Sequence, residues 1–414
     1  MIAASTGPTS SPYKHLAGLD GIRGIAIFLV LIIHLGVMIP ASPIEHAVFA
    51  GMSVGWIGVD LFFVLSGMLI TGILLDSKGH DGYFRNFYVR RVLRIFPLYY
   101  ALLIFSFYIL PMFPHPKVAN FSRVTGDEVW YWLFLSNIKM AIAGGPRHGI
   151  MDVTWSLAIE EQFYLVWPLL VRSLSQKRLA WACVTLFVGS LLARIILLLL
   201  DFAPFTLYVL TPTRLDGLCA GALVAIALRS TSLSQHDLIR IANRGLSIGG
   251  LGTAGIMAWY KGLPWDGALV QTVGYSALAV MFAGLVLKTA LQSGTPTLVG
   301  RLTRLRFLTT LGVFSYSLYL LHLPLRAVLR DTVMRPAEFS SWWGGSLFAQ
   351  LVFYVVGIAV AIGVAWLSYH MFEKHFLRLK EVLAPRDTPQ PITANQGRIL
   401  NLPPMQNNGP GSLK

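Results

Sequence analysis

Long apolar runs, separated by short polar segments, recur along almost the whole chain. We predict ten membrane-spanning helices from them, near residues 19–39, 51–75, 95–113, 155–171, 179–200, 214–228, 246–260, 268–287, 308–325 and 347–369. Several are shorter than the ~20 residues that a full crossing needs, so their ends are only approximate. The aromatic stretch 129–142 is too short for a span and fits an interfacial or re-entrant helix. The pattern predicts an all-α, polytopic transmembrane helix bundle.

The composition supports a membrane protein. Hydrophobic residues make up 55% of the 414 residues and charged residues only 13%, whereas soluble domains carry about 25% charged residues. The first apolar run lacks a small-residue cleavage site, so we interpret it as a retained helix and not as a signal peptide. The two cysteines, Cys183 and Cys219, lie in apolar segments and offer neither a disulfide framework nor metal-ligand spacing. We therefore expect no bound metal.

The distribution of Lys and Arg predicts the orientation of the bundle. With the N-terminus inside, the cytoplasmic side receives most of the basic residues, including those of loops 78–94, 172–178 and 288–306. The positive-inside rule therefore favours N-in, C-in. It also explains most of the net charge of +14 without nucleic acid as a partner. We divide the chain into a transmembrane domain, residues 1–380, and a disordered cytoplasmic tail, residues 381–414, rich in Pro, Asn, Gln and Gly.

One apolar stretch, LDGIRGIAIFLVLIIH, carries Arg23 near its start and His34 at its end. On a helix, their spacing brings His34 to within about 20° of the Arg23 face, about 16 Å away along the axis. If the stretch crosses a membrane, both ionisable groups share one stripe, and such groups at that depth point to a functional interior. The alternative is structural, with Asp20 holding the Arg23 guanidinium and His34 bonded to a neighbouring helix.

Three arginines, Arg90, Arg91 and Arg94, cluster at the predicted cytoplasmic face in the segment FRNFYVRRVLRIFPLYY. Arg91 and Arg94 share one helical face. Guanidinium groups in such a cluster suit bidentate phosphate binding. The alternative is a positive-inside anchor beside aromatic residues of the membrane interface.

Carboxylates also lie inside predicted spans. Asp60 lies in the outer third of the second span, where it can orient a histidine or pair with an arginine. Glu160 and Glu161 are adjacent, so their side chains diverge by about 100° and cannot form a close pair. One of them must face inward, where a carboxylate beside a histidine fixes its tautomer and stabilises the imidazolium. For each carboxylate, the alternative is a hydrogen bond that only holds the bundle together.

Two further segments place polar side chains in apolar surroundings. TPTRLDGLCAGALVA carries Arg214 and Asp216 at the predicted outer end of the sixth span. LGVFSYSLYLLHLPL carries Tyr319 and His322, one turn apart, in the ninth span. We regard these four residues as candidate substrate-binding groups. The alternative is that they form hydrogen bonds between helices.

Taken in order, these segments resemble the membrane acyltransferase-3 family over residues 15 to about 376. The matching segments are LDGIRGIAIFLVLIIH with its Arg-x10-His spacing, GVDLFFVLSGMLITG, FYVRRVLRIFPLYY, WSLAIEEQFY, RLDGLCAGALVA and SYSLYLLHLPL. One departure is SYHMFEKHF, where this family usually has Glu-Lys-Pro and this chain has His375 in place of the proline. We expect the end of that helix to differ, without an effect on the chemistry.

The resemblance implies an enzyme that moves an acyl group, most often acetyl, from cytoplasmic acyl-CoA to hydroxyls of carbohydrates or other acceptors. It implies that His34 is the catalytic histidine and that Arg23 is its motif partner. Arg91 and Arg94 match the motif associated with acyl-CoA binding in this family. Glu160 matches the carboxylate of the family's Trp-Ser-Leu-x-x-Glu motif.

From these roles we expect general-base catalysis. In this hypothesis His34 takes the proton of the acceptor hydroxyl while Glu160 or Asp60 holds the imidazole. Arg23 would engage a CoA phosphate near the cytoplasmic boundary. Direct transfer is the working hypothesis, and an acyl-enzyme on His34 or Ser66 is the alternative.

The expected partners are the lipid bilayer and a glycan or other hydroxyl-bearing acceptor, and the expected location is a bacterial inner membrane. Two other functions stay open. A polytopic transporter of a small solute or protons would also need buried Arg, His, Asp and Glu, although the two halves of the chain show no correspondence. A catalytically silent sensor or scaffold would not need the intact motif residues.

Overall fold

Apolar helices dominate the structure, a computed structural model that describes residues 17–112, 126–146, 149–292, 297–330 and 346–385. These residues contain no strand. The helices in chain order are α1 (Ala17–His34), α2 (Pro43–Ser53), α3 (Ile57–Asp76), α4 (Tyr83–Ile104), α5 (Glu128–Trp132), α6 (Ser136–Ala143), α7 (Thr154–Ser173), α8 (Gln176–Leu199), α9 (Pro204–Val209), α10 (Leu215–Leu228), α11 (Gln235–Tyr260), α12 (Tyr275–Leu291), α13 (Leu298–Leu302), α14 (Arg306–Val313), α15 (Ser315–Val328), α16 (Ser346–Ser368) and α17 (Lys374–Leu383).

Five helical stretches among the described residues are long and apolar enough to cross a membrane. They are Pro43–Asp76, Tyr83–Met112, Gln176–Leu199, Val270–Leu291 and Ser346–Leu383. A sixth arises if α14 and α15, which meet at a bend of 82°, count as one span. Each of the ten predicted spans lies mainly on helical residues, but the ninth, 308–325, covers two helices, α14 and α15. The number of crossings is not confirmed. Helix α10, for example, has only 14 residues, and α7 carries Glu160 and Glu161.

The structure also bears on the short aromatic stretch and on the C-terminal tail. Residues 129–142 form parts of two short helices, α5 and α6, and not a span. The predicted disordered tail began at residue 381, whereas residues 381–383 end helix α17. The rest of that tail, residues 386–414, lies outside the described residues.

Helices α3 and α10 run parallel and are joined by an ion pair at each end. Near their starts, a guanidinium nitrogen of Arg214 lies 2.6 Å from a carboxylate oxygen of Asp60. At the other end, a guanidinium nitrogen of Arg229, directly after α10, lies 2.7 Å from a carboxylate oxygen of Asp76, the last residue of α3. The backbones approach closely between these pairs, because a Cβ atom at Gly67 would overlap the carbonyl oxygen of Leu218. Small residues are what allow such close packing in membrane helices.

Helix α1, which carries Arg23 and His34, lies against α3, α14 and α15. One side of α1 is entirely buried and includes Ile22, Ile27 and Leu31. The helix ends at His34, where the chain turns away towards α2. This end of α1 lies beside α15 and α16, and the site is built around it.

Candidate active site

Two histidine side chains from different helices lie side by side. The ring centroids of His34, at the end of α1, and His322, in α15, are 4.9 Å apart, and the ring planes are inclined by 55°. In each ring Nδ1 faces the carbonyl oxygen four residues earlier, at 2.9 Å from Val30 and 3.1 Å from Leu318. A ring nitrogen that faces a carbonyl oxygen carries the proton. Both rings therefore have an unprotonated Nε2 that can accept a hydrogen bond or a proton.

The two rings differ in exposure. His34 is partly buried, whereas His322 is fully buried. Among the described residues, Nε2 of His322 has no hydrogen-bond partner. The guanidinium of Arg326 is in electrostatic range of both rings and donates to the carbonyl of Gly36 at 3.4 Å. A neutral imidazole with a free Nε2 is a competent general base.

The expectation that Glu160 or Asp60 holds the His34 ring is not supported by these contacts. The Nδ1 of His34 is already occupied by a carbonyl of its own helix. Glu160 instead accepts hydrogen bonds from Ser66 at 2.8 Å and from Tyr164 at 2.9 Å. Asp60 is bound to an arginine of another helix. The group that orients His34 is therefore a backbone carbonyl and not a carboxylate.

Arg214 and Asp216, predicted to bind substrate, are fully buried parts of the helix packing. Arg214 pairs with Asp60 at 2.6 Å, and Asp216 pairs with Arg194 at 2.8 Å. Both guanidinium side chains have 0% exposure. Charges inside a bundle are costly unless they are paired, and each of these four residues has a partner of opposite charge. For Arg214 and Asp216 the structure therefore supports contacts between helices and not the predicted substrate binding.

A group of arginines lies on α1 and α4, towards the opposite end of α1 from His34. Arg23 forms an ion pair with Asp20 at 3.1 Å and is in electrostatic range of Arg91 and Arg94. The guanidinium of Arg91 lies 5.4 Å from the ring centroid of Tyr164. Within the described part of the chain, neither Arg91 nor Arg94 forms an ion pair with a carboxylate. We call Arg23, Arg91 and Arg94 the arginine cluster.

Arg90, also predicted to bind CoA, points elsewhere. Its guanidinium binds the Glu381 carboxylate of α17 at 2.9 Å and also the carbonyl oxygen of Ala384. Arg90 lies one turn before Arg94, so it is these partners from α17 and the residue after it, and not its position on α4, that set it apart from Arg91 and Arg94. The prediction is therefore corrected, because Arg90 anchors α17 to α4.

Glu160 connects the arginine cluster to the interior of the bundle. Its carboxylate is in electrostatic range of Arg91 and Arg23, although it forms no ion pair with either among the described residues. Glu161 diverges from it, and one of its carboxylate oxygens is buried without a hydrogen-bond partner in the described structure. Helices α1, α4 and α7 thus converge on one mixed-charge region.

Tyr319 lies close to the histidine pair. Its ring centroid is 5.9 Å from that of His322. Its hydroxyl is bound to the Ser156 hydroxyl at 2.5 Å and donates to the carbonyl of Val153 at 3.2 Å. Tyr319 therefore forms one wall of the site, while its hydroxyl is engaged by α7 and the turn before it.

Sequence reasoning missed Gln350 of α16. This buried amide accepts hydrogen bonds from the backbone N–H groups of Val37 and Met38, at 2.8 and 2.9 Å, and donates to the carbonyl of Leu35 at 3.1 Å. Tyr354, one turn on, donates to the carbonyl of Ile32 at 2.7 Å. Together they fix the chain on both sides of the catalytic candidate His34. The available signal was a lone amide in the apolar run SLFAQLVFYVVG.

The fold and site define a multi-pass helical membrane protein that holds a histidine pair in its interior and an arginine cluster nearer one end. The chain belongs to the acyltransferase family whose model, described as an acyltransferase domain, matches residues 16–370. The resemblance drawn from the separate motifs is thereby confirmed.

Several curated proteins are similar to this chain. A putative peptidoglycan O-acetyltransferase, YrhL of Bacillus subtilis, is 30% identical over 87% of this chain and 55% of its own length. The peptidoglycan O-acetyltransferase OatA of Listeria monocytogenes is 27% identical over 87% of this chain and 55% of its own length. The O-acetyltransferase OatA of Staphylococcus aureus is 27% identical over 75% of this chain and 51% of its own length. The chain thus spans about half the length of these relatives. No solved structure matches it significantly.

Proposed function

We propose that this protein is an integral-membrane O-acyltransferase that moves an acetyl group from cytoplasmic acetyl-CoA to a hydroxyl of a cell-envelope glycan. The family supports acyl transfer, and the printed names of the relatives support acetyl as the group and a peptidoglycan-like glycan as the acceptor. The observation that carries the proposal is that helix α1 holds His34, with Nδ1 bonded to a carbonyl oxygen, at one end and brings Arg23 to the arginine cluster towards the other.

His34 is the proposed general base. Its Nδ1–H is held by the Val30 carbonyl, which leaves Nε2 free to take the proton of the acceptor hydroxyl. The hydroxyl oxygen then forms a bond to the thioester carbonyl carbon, and the carbon–sulfur bond breaks. The proton passes from His34 to the departing thiolate, so that the imidazole returns to its neutral form. This is direct transfer, and no acyl-enzyme is needed.

The arginine cluster is the proposed binding site for the phosphates of CoA. Arg91 and Arg94 have no carboxylate partner among the described residues, so their guanidinium groups are available for an anion. Phosphate binding by guanidinium groups is bidentate and charge-assisted, which suits a polyphosphate ligand. Arg23 is in electrostatic range of both and lies on the same helix as His34. The distance of roughly 16 Å between Arg23 and His34 along the helix can be bridged by a pantetheine arm.

Orientation is part of the same proposal. We infer ten crossings with both termini in the cytoplasm of a bacterium and the protein in its inner membrane. The positive-inside rule supports this, because the first half of α4 and helix α17 both carry an excess of Lys and Arg. The arginine cluster then faces cytoplasmic acetyl-CoA, and the histidine pair lies deeper, nearer the outer face.

Acetyl transfer by purified protein in nanodiscs tests this proposal, with radiolabelled acetyl-CoA as donor and an envelope glycan extract as acceptor. For the double variant Arg91→Ala/Arg94→Ala we expect the KM for acetyl-CoA to rise at least about tenfold, because charge-assisted hydrogen bonds to phosphate are lost. Arg90→Ala is the matched control, since Arg90 is bound to Glu381, and it should leave this KM unchanged.

Two results would contradict the proposal. Wild-type protein that transfers no label to the glycan and releases no CoA is not an acetyl-CoA-dependent acyltransferase. An equal rise in KM for Arg90→Ala and for the double variant would show that the arginine cluster is not the phosphate site.

A further inference from the structure

We propose that His322 is a specificity residue, whose Nε2 accepts a hydrogen bond from a second donor on the acceptor, next to the hydroxyl that His34 deprotonates. This inference rests on the proposed function. It restricts the acceptor to molecules that carry at least two hydrogen-bond donors close together, such as a polyhydroxylated sugar, and it disfavours simple alcohols.

The observation behind this proposal is an unpartnered nitrogen in a fully buried side chain. His322 has 0% exposure, and its Nε2 finds no donor among the described residues. Because Nδ1–H donates to the Leu318 carbonyl, Nε2 is a bare lone pair and cannot act as a donor. A buried acceptor without a partner costs free energy, so this nitrogen calls for an explanation, and a ligand that donates to it is one.

The neighbours of His322 do not satisfy this nitrogen. The Tyr319 hydroxyl is engaged with Ser156 and Val153. His34 lies 4.9 Å away, centroid to centroid, but its own Nε2 is also a bare acceptor. Two acceptors side by side cannot satisfy each other. A ligand that contacts both Nε2 atoms must therefore supply the hydrogen-bond donors.

Two donors are needed to satisfy both histidines. One is the hydroxyl that is acylated, whose proton goes to His34. The other is a neighbouring hydroxyl or amide N–H, which donates to His322. A site built to bind such a group rejects analogues that lack it, because the buried acceptor is then left unpaired.

The test compares two reactions of the same purified protein in nanodiscs: acetyl transfer to an envelope glycan extract and hydrolysis of acetyl-CoA without acceptor. For His322→Phe, which has no acceptor nitrogen, we expect the KM for the glycan to rise at least tenfold. The KM for acetyl-CoA and the slow hydrolysis rate should stay within about twofold of wild type. For His322→Gln, which restores a hydrogen-bond acceptor, the KM for the glycan should lie between those of His322→Phe and the wild type.

The matched control is His370→Phe. His370 makes the same type of bond, from Nδ1 to the carbonyl of Trp366 at 2.8 Å, but it is exposed. It should change neither reaction.

The outcomes separate this inference from the proposed function. Loss of both transfer and hydrolysis in His322→Gln would overturn the inference, because His322 would then be the base or a purely structural group. An unchanged glycan KM in His322→Phe would overturn it as well. If the wild type neither hydrolyses acetyl-CoA nor transfers its acetyl group, the proposed function itself fails.

Discussion

At the scale of single residues, the arginines inside the bundle divide into two kinds. Arg194 and Arg214 are fully buried, and each is paired with an aspartate. Arg91 and Arg94 have no such partner among the described residues. Arg214 is also enclosed by aromatic rings, with its guanidinium 4.2 Å from the ring centroid of Tyr275. Paired arginines hold helices together, whereas arginines without an acid partner are available to a ligand.

The role of Arg214 can be tested by removing its charge. Arg214→Met leaves Asp60 buried without its partner, and we expect a loss of stability of about 3–5 kcal/mol. The double variant Asp60→Leu/Arg214→Met removes both charges and should recover most of this loss. Thermal unfolding in detergent measures both effects. Arg90→Ala is the control, because its ion pair with Glu381 is exposed on one side and worth only about 0–1 kcal/mol.

A different result would revive the substrate-binding role that the sequence suggested for Arg214. If Arg214→Met unfolds at the wild-type temperature but raises the KM for the glycan acceptor, then the Asp60 pair is not structural. Our account of α3 and α10 would then be wrong.

At the scale of helices, α16 positions the end of α1. Gln350 makes three hydrogen bonds to the segment that follows His34. For Gln350→Leu we expect a loss of stability of about 1–3 kcal/mol, because buried backbone groups lose their partner. We also expect kcat to fall more than the KM for acetyl-CoA rises, because the base is displaced and the arginine cluster is not.

Gln176→Leu is the matched control for that variant. Gln176 is an exposed glutamine that donates a single hydrogen bond, to the carbonyl of Ile226 at 3.1 Å. Steady-state kinetics on both proteins check the prediction. Equal kcat values for Gln350→Leu and wild type would show that α16 does not position His34.

The helices themselves could be predicted from the chain, because long apolar runs with few charges leave little alternative in a membrane. Each predicted span lies mainly on helical residues, although the ninth covers two helices, and the short stretch 129–142 is not a span. The bend of 82° between α14 and α15 could not be predicted, since hydropathy does not report the direction of a helix. The number of crossings also depends on tilt and packing, which a one-dimensional pattern does not contain.

At the scale of the whole molecule, the candidate site was only partly predictable. Helical periodicity placed Arg23 and His34 along one helix, and the motifs named Arg91, Arg94 and Glu160. The partners could not be found in this way, because they come from distant parts of the chain. Asp60 and Arg214, for example, are 154 residues apart in the chain, and Gln350 and Val37 are 313 residues apart.

The same reasoning explains the errors. Asp60 has the right residue type to hold a histidine, but it pairs with an arginine that the fold brings nearer. Arg90 belongs to the basic cluster in sequence, but its guanidinium is bound by Glu381 of α17, which packs against α4. Residue type and spacing therefore identify the ionisable groups that matter, while the packing of the bundle decides which of them meet.

The most direct test of the whole account is the rate of CoA release from acetyl-CoA by wild-type protein and by His34→Ala, each in nanodiscs with an envelope glycan extract. General-base catalysis contributes about 10²–10⁴-fold, so His34→Ala should lose at least about 100-fold in kcat. It should also keep its KM for acetyl-CoA, since the arginine cluster is untouched. If His34→Ala turns over acetyl-CoA as fast as wild type, the base is another group and the central claim is wrong.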